Sequence, residues 1–447
     1  MSERTERSEG RERTPNRHSM SERTERSEGR ERMPSQPRMS ERTERSEGRE
    51  RMPSQHSMSE RTERSEGREP SESREPSEGR ERTPGRRRWC AATRLLWAAA
   101  LGWAVFTGLH RALSGRWWFW LLPDLLPPVA YLLVPVALAA VVPAARALRR
   151  PLPARAAAVV LAAAVTALTV GLPDTGLNRY AWASRPAPPS GALTVLAWNT
   201  GYWDQHDDPE AFLRFLVDRR ADVYLLQEHL YWDDAAGLAG ARPAPDPERL
   251  RRAFPGYTVV ARGELLTLSR FPVVARPAVG PDAGLAADPG ADFGRVFAAA
   301  KVLRADLLVG GRVLSTYNVH LPVQVNLAPR RFLGYVRERD RARRAQLAGL
   351  RADLAANPGP VLVAGDFNTT AAMGDLRPLR DRLRDAADAN ADVYPASWPA
   401  GRLPAAWRLD WTLTSRTVRV HRYTLDDPRG LSDHRAQTAV VTLGEGS

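Results

Sequence analysis

Cysteine is almost absent from this 447-residue chain: Cys90 is the single copy. That excludes an intramolecular disulfide framework and a cysteine-rich zinc site. It leaves the compartment open, because an exported domain need not carry disulfides. Residues 1–88 lack nearly all apolar side chains and cannot bury the surface that a fold requires. The part of the chain that alternates apolar and charged segments lacks a bias of charge. The whole chain carries +13 at pH 7, but from Gly191 onward 33 Lys+Arg stand against 30 Asp+Glu. That balance gives no basic stripe of the kind that grips duplex nucleic acid.

What residues 1–88 do contain is a repeat. Met-Ser-Glu-Arg-Thr-Glu-Arg-Ser-Glu-Gly-Arg-Glu begins at Met1, Met20, Met39 and Met58, a period of 19, and a degraded copy follows near Ser71–Arg80. Both signs of charge mix with Ser, Pro and Gly. A solenoid repeat needs an apolar face to stack, and there is none here, so the tail reads as disordered. Each full copy opens with Met, which leaves the true start of translation open among them.

Residues 89–172 are the opposite extreme. After Arg86-Arg87-Arg88 come three apolar runs: Leu95–Leu109, extended toward Trp89; Val129–Val142 within a longer run from Trp117; and Ala156–Leu172. Each is long enough, alone or with its flank, to cross a bilayer. Trp117, Trp118 and Trp120 resemble an interfacial belt, and Pro123, Pro127 and Pro128 predict irregular backbone beside it. Arg146, Arg149, Arg150 and Arg155 follow the second run. Placing them with Arg86–Arg88 in the cytoplasm satisfies the positive-inside rule; Arg111 and Arg116 then lie outside, against it. Three spans put everything from Pro173 onward on the extracytoplasmic side, after a Pro-rich linker over 173–190.

Residues 191–447 read as alternating strands and helices whose strands end in polar side chains. Leu193–Asn199 ends on Asn199. Pro209–Arg219 has helical spacing, and Ala221–Glu228 is the next strand, a pattern that predicts an α/β unit. Residues 232–256 are loop-like. Tyr257–Val260 and Leu265–Ser269 flank Gly263, and Val296–Leu303 pairs with Arg312–Val319, which carries His320 out of the strand. Arg330–Leu350 is a basic helix whose charged face reads as solvated. Val361–Ala364 is a buried strand that runs through Gly365 into Asp366 and Asn368. Asp410 stands between Leu409 and Trp411, where a carboxylate needs a partner. Asp433 and His434 precede a last strand at Ala439–Leu443.

Only a sheet with convergent strand ends could gather residues scattered over this much chain. Hard oxygen donors suit Mg²⁺ or Mn²⁺ and, with histidines, suit phosphoryl transfer. The order of the motifs carries a further signal. Trp198-Asn199, Gln227-Glu228, Leu268-Ser-Arg270 with Pro272, Asn318-Val-His320, Gly365-Asp-Phe-Asn368, Arg408-Leu-Asp410 and Ser432-Asp-His434 together resemble the endonuclease/exonuclease/phosphatase (DNase I-like) superfamily. The spans ahead of them resemble its membrane-anchored bacterial branch. The resemblance covers about Thr194–Leu443. It implies a four-layer α/β sandwich preceded by transmembrane helices and the disordered tail. It implies a divalent-metal site at Glu228, with Asn199 and Asp433. Asp366 is implied as the residue that orients or activates the attacking water, and Asn368 as a phosphate ligand. His434 held by Asp410, and His320, are implied as groups on the phosphoryl oxygens or the leaving group. A partner for His320 is expected, and Glu264 is the candidate.

The function this implies is a metal-dependent phosphoesterase. Its location in the membrane makes a membrane lipid or lipid-linked phosphate the first expected substrate and the lipid bilayer its surroundings. A membrane-tethered nuclease acting on nucleic acid ranks second, and a catalytically inactive interaction module third. No protein partner is inferred.

Overall fold

The computed structural model describes residues 91–444, except 234–235, 237–239, 246, 287, 289, 325–331 and 402–404. The repeated tail, Arg86–Arg88 and Cys90 lie outside the described residues.

Three helices open the described chain: α1 (Ala91–Leu113), α2 (Ala130–Ala147) and α3 (Ala154–Gly171). α2 and α3 have 18 residues each. At ~1.5 Å per residue that is about 27 Å, close to the ~30 Å hydrocarbon core of a bilayer. All three are long and apolar enough to cross a membrane. Leu95, Leu133 and Val165 are 70, 56 and 60 % exposed on them. A water-soluble bundle would turn such side chains inward, whereas a bilayer solvates them. The protein is therefore a multi-pass membrane protein. Between α1 and α2 the proline-rich stretch forms 3₁₀ turns at Trp118–Leu121 and Pro123–Leu125, as the prolines predict.

The ends of α1 and α3 meet on one side, where Arg111 Nη1 bonds Asp174 Oδ1 at 2.9 Å. The arginine-rich turn between α2 and α3 is at the other. The odd number of spans then carries the rest of the chain to the extracytoplasmic side. Arg111 lies there against the positive-inside rule and is paired with Asp174.

The strands that follow are β1 (Leu193–Asn199), β2 (Val223–Gln227), β3 (Leu230–Tyr231), β4 (Arg242–Pro243), β5 (Thr258–Arg262), β6 (Leu265–Ser269) and β7 (Val273–Ala275). β8 (Val302–Val309), β9 (Arg312–His320), β10 (Val361–Asp366), β11 (Arg384–Asp385), β12 (Asp410–Thr414), β13 (Val418–Asp426) and β14 (Ala436–Leu443) complete the set. One sheet has the order β13-β14-β1-β2-β6-β5, and the other β11-β12-β10-β9-β8-β7. In each, the one parallel pair (β1 with β2, β10 with β9) lies at the centre and antiparallel strands flank it. Helices α4 (Pro209–Asp218), α5 (Pro247–Ala253), α6 (Phe293–Ala299) and α7 (Phe332–Ala356) belong to the same domain.

Side-chain alternation builds the layers. In β1, Val195 and Ala197 point to one face and Leu196 and Trp198 to the other. The first pair joins Leu225, Leu314, Leu362 and Ala364 in the core between the sheets. The second packs with Phe212, Phe215 and Leu216 of α4. In β10, Val361 and Val363 pack with Leu347 and Leu350 of α7. Helix, sheet, sheet and helix are thus separated by three apolar layers, the expected four-layer α/β sandwich. Polar ties cross the middle layer: Gln227 Nε2 donates to Asn318 Oδ1 at 2.6 Å, and Asn318 Nδ2 donates to the carbonyls of Leu226 and Leu266 at 3.0 Å.

Three differences from the sequence reading are larger than a shift of a few residues at a strand end. Phe293–Ala299 is helical, because Asp292 caps the amide of Arg295 at 2.8 Å, and β8 begins only at Val302. A short helix, α5, occupies part of the stretch read as loop, with Pro247 at its first position. α7 runs to Ala356, and its basic face is not simply solvated: Arg343 is 1 % exposed.

Candidate active site

Strand register gathers the site. Asp366 lies opposite His320 on the parallel neighbour β9 and opposite Asp410 on the antiparallel neighbour β12. In the other sheet Asn199 lies opposite Gln227, one residue before Glu228. Gly365 makes the close approach possible. Its φ is +142°, and a Cβ there would sit 2.0 Å from the carbonyl oxygen of Val319.

Asp366 Oδ2 is the hub. Asn199 Nδ2 donates to it at 3.0 Å and Asn368 Nδ2 at 3.1 Å. The Nε2 atoms of His320 and His434 face the same oxygen at 3.7 and 3.8 Å. The chain turns directly after Asp366: the amide of Asn368 donates to Asp366 Oδ1 at 2.7 Å, and Asn368 takes a φ of +47°. This is an Asx turn, and it is what folds the two side chains toward each other instead of sending them out in parallel.

Each histidine is backed by a buried carboxylate. His434 Nδ1 bonds Asp410 Oδ2 at 2.9 Å, with Asp410 wholly buried. His320 Nδ1 lies 3.0 Å from Glu264 Oε2, a close ion-pair distance but oblique to the ring N–H. Glu264, the candidate partner, sits at the tip of the β5–β6 hairpin and is 1 % exposed. Burial opposes charge on both imidazoles, but the surrounding carboxylates outweigh it. Asp410 and Asp366 lift His434 to about 10, and Glu264, Asp366 and Glu228 raise His320. Burial raises Asp366 and Glu228. For Glu264 burial acts in the same direction, but His320 and Lys301 override it and hold the carboxyl at about 2.

Glu228 has a φ of +57°, a left-handed backbone rarely adopted away from glycine. Its Oε1 accepts from Asn199 Nδ2 at 3.1 Å and its Oε2 from the amide of Tyr202 at 3.0 Å. One amide group therefore bridges the carboxylates of Glu228 and Asp366. Those carboxylates, with Asn199 turned to offer its oxygen, form a hard donor set that fits a divalent cation. Asp366, Asp410 and His434 also bring one ligand atom each to within 4.8 Å of one another. Asp433 stands at the rim. It is 63 % exposed, and its Oδ2 accepts from the Trp398 indole at 2.8 Å.

Arg343 and Lys301, which serve the site, carry no signal of their own in the sequence, and Ser432 stands out there only as part of the Ser432-Asp-His434 motif. Arg343 of α7 donates to the carbonyls of Pro322 and Phe367, and also contacts Thr369 and Asp375. Ser432 Oγ donates to the carbonyl of Asn199 at 2.8 Å and accepts the amide of His434 at 3.0 Å, fixing one sheet's strand end against the histidine loop. Lys301 bonds Glu264.

The sandwich, the carboxylate-backed histidines and the hard donor set define a metal-dependent phosphoric ester hydrolase. Residues 196–434, more than half the chain, match the model of the "Endonuclease/Exonuclease/phosphatase family", and the protein belongs to that family. No curated protein matches the chain. Similar solved structures include an endonuclease/exonuclease/phosphatase from Beutenbergia cavernae (17 % identity, 57 % of this chain and 72 % of that one, TM-score 0.41). Another is the 3′ phosphatase NExo from Neisseria, bound to a product DNA hairpin (18 %, 56 % and 100 %, 0.40). A third is a mannosyl-6-phosphatase from Bacteroides thetaiotaomicron (13 %, 56 % and 100 %, 0.39).

These findings correct the expected partner. The expectation puts a lipid or lipid-linked phosphate ahead of nucleic acid, whereas the description of the family to which the chain belongs names nucleases and phosphatases. The physical reason is plain. The lipid expectation came from where the domain is tethered, whereas the groups described above address a phosphate ester and no part of a lipid tail.

Proposed function

We propose that this protein is a membrane-tethered nuclease that hydrolyses phosphodiester bonds of nucleic acid on the extracytoplasmic side, with Mg²⁺ or Mn²⁺. The observation that supports it best is the pair of imidazole Nε2 atoms facing one Asp366 oxygen. A diester needs two kinds of help from cationic donors: neutralisation of its non-bridging oxygens, and a proton for a poor leaving group. Two carboxylate-backed histidines in one site can supply both. The family description, which names nucleases, supports nucleic acid as the diester.

The roles divide as follows. Asp366 orients the attacking water and accepts its proton. His434, held in one tautomer by Asp410, donates to the phosphoryl oxygens. Asn368 adds a neutral donor there. His320 stands on the leaving-group side and donates the proton. Glu228 and Asn199, with Asp433 at the rim, would hold the cation, which supplies positive charge opposite the developing phosphoryl charge.

The test uses the full chain in detergent or nanodiscs, with single-stranded DNA, duplex DNA, RNA and a simple phosphomonoester as substrates. Cleavage of nucleic acid that requires Mg²⁺ and disappears in Asp366→Ala and His434→Ala is the expected result. Turnover confined to the monoester would overturn the diester reading. Absence of any turnover would favour an inactive binding module instead.

A further inference from the structure

Among the 65 Lys+Arg residues of the chain, Lys301 alone is lysine. It is also only 5 % exposed. A buried cation needs a partner, and this one has Glu264 Oε1. The other carboxylate oxygen, Oε2, is the one that faces His320 Nδ1 at 3.0 Å. Lys301 and His320 are joined a second time through the backbone: the His320 amide donates to the carbonyl of Lys301 at 3.0 Å. Position 301 thus ties the strand that carries His320 through its backbone carbonyl, and its ammonium ties the carboxylate that backs His320.

The choice of side chain has a physical reason. Lys301 Nζ lies 3.6 Å from the centroid of the Phe297 ring, so its charge is enclosed by one carboxylate and one aromatic face. An ammonium is compact and places its charge at a point. A guanidinium is planar and brings five donors, which this enclosure does not provide acceptors for. Glu264 itself sits in the two-residue turn between β5 and β6, after Gly263 with a φ of +58°. The two oxygens of its carboxylate are equivalent; with Lys301 on one, the carboxylate is held with the other toward His320.

We propose that Lys301 is a positioning residue: it anchors one oxygen of Glu264 so that the other fixes the ring of His320, whose Nε2 is thereby kept toward Asp366. This rests on the diesterase reading given above and deepens it.

A double-mutant cycle tests it in the full chain. Lys301→Met and Glu264→Gln are each expected to lower kcat about tenfold or more with KM little changed, the usual loss when an orienting partner is removed. Since Lys301 acts only through Glu264, the double variant should be no slower than Glu264→Gln alone. Lys301→Arg should fail to restore the rate. A purely structural role would give additive losses or a rescue by arginine, and either result overturns the proposal. A second readout does not need turnover. Protein labelled with ¹³Cε-lysine carries one lysine side-chain signal, and it should move in His320→Gln and in Glu264→Gln. A signal unmoved by both overturns the link between the three residues. If the wild-type chain cleaves no phosphate ester, the diesterase reading fails, while this signal still decides the link.

Discussion

Gly115, just past α1, and Gly374, six residues after Asn368, approach so closely that neither tolerates a side chain. A Cβ on Gly374 would sit 2.1 Å from the carbonyl oxygen of Ser114, and one on Gly115 would sit 2.5 Å from the carbonyl carbon of Gly374. Around this contact His110 Nε2 meets the carbonyl of Ala372 at 2.7 Å, and Ser114 Oγ accepts the amide of Gly374 at 2.7 Å. Trp120 donates its indole N–H to His110 Nδ1, so His110 must be the neutral tautomer with its proton on Nε2. The loop that follows β10 is thus fastened to the first membrane span.

Gly374→Val should therefore push that loop off α1, at an overpacking cost of ~1–3 kcal/mol. Lower Tm and lower turnover are expected together in detergent. Gly284→Ala is the control, since a Cβ there meets nothing within 4 Å. Unchanged Tm and turnover in Gly374→Val would mean that the contact does not form in the protein.

Asp410→Asn tests the better-backed histidine. Asp410 is fully buried and its Oδ2 holds His434 Nδ1. The amide would present a donor or a weaker acceptor and misorient the ring. By comparison with a lost oxyanion donor, about 2–4 kcal/mol of transition-state stabilisation should go, a fall in kcat of ~30- to 1000-fold. KM should change little. A variant with full kcat would remove His434 from the chemistry.

The sandwich was legible because its signals are local. Leu193–Asn199 and Val361–Asp366 are short apolar runs bounded by polar turns, and both strands lie where the runs predict. Asp366, His320 and Asp410 could be named from strand ends, since register alone then juxtaposes them. Lys301 and Arg343 are different. Each acts across elements distant in sequence, and a lone lysine or arginine beside an apolar run reads as an ordinary surface charge. The lipid expectation fails for a related reason: tethering to a membrane says where a domain is, and the chemistry of its site says what it can bind.

Chelation should abolish activity, and added Mg²⁺ or Mn²⁺ should restore it. Glu228→Gln keeps the shape but removes a charge from the donor set that includes Asn199. The metal concentration for half-maximal activity should rise ~10- to 100-fold, by analogy with the loss of other metal-site partners. Asp433→Asn, at the rim and 63 % exposed, should shift it far less. Equal shifts in the two variants would place the cation nearer to Asp433 than the geometry implies.

Acid stability provides a test away from the chemistry. Arg408 grips Asp385 with both terminal nitrogens, at 2.8 and 2.6 Å, and stacks 3.9 Å from the Trp411 ring centroid. Burial would raise the Asp385 carboxyl, but Arg408 outweighs it and the pKa is lowered. A folded pKa below the unfolded value of ~3.9 means that the pair's stabilisation is present above about pH 4 and is lost as pH falls through the folded value. Asp385→Asn should thus cost about 3 kcal/mol at pH 7, because it leaves a buried guanidinium without its counter-charge. Below about pH 4 the unfolded chain takes up the proton first and the stabilisation is drawn down, so the gap in Tm between the two proteins should narrow, and it should close once pH falls through the lowered folded pKa of Asp385. Arg408 directly precedes Leu409 and Asp410, and its Nε donates to the Asp410 carbonyl at 3.3 Å. Turnover of the variant should therefore fall along with its stability. A Tm gap that stays constant from pH 7 down to pH 3 would show that the pair's contribution is not electrostatic.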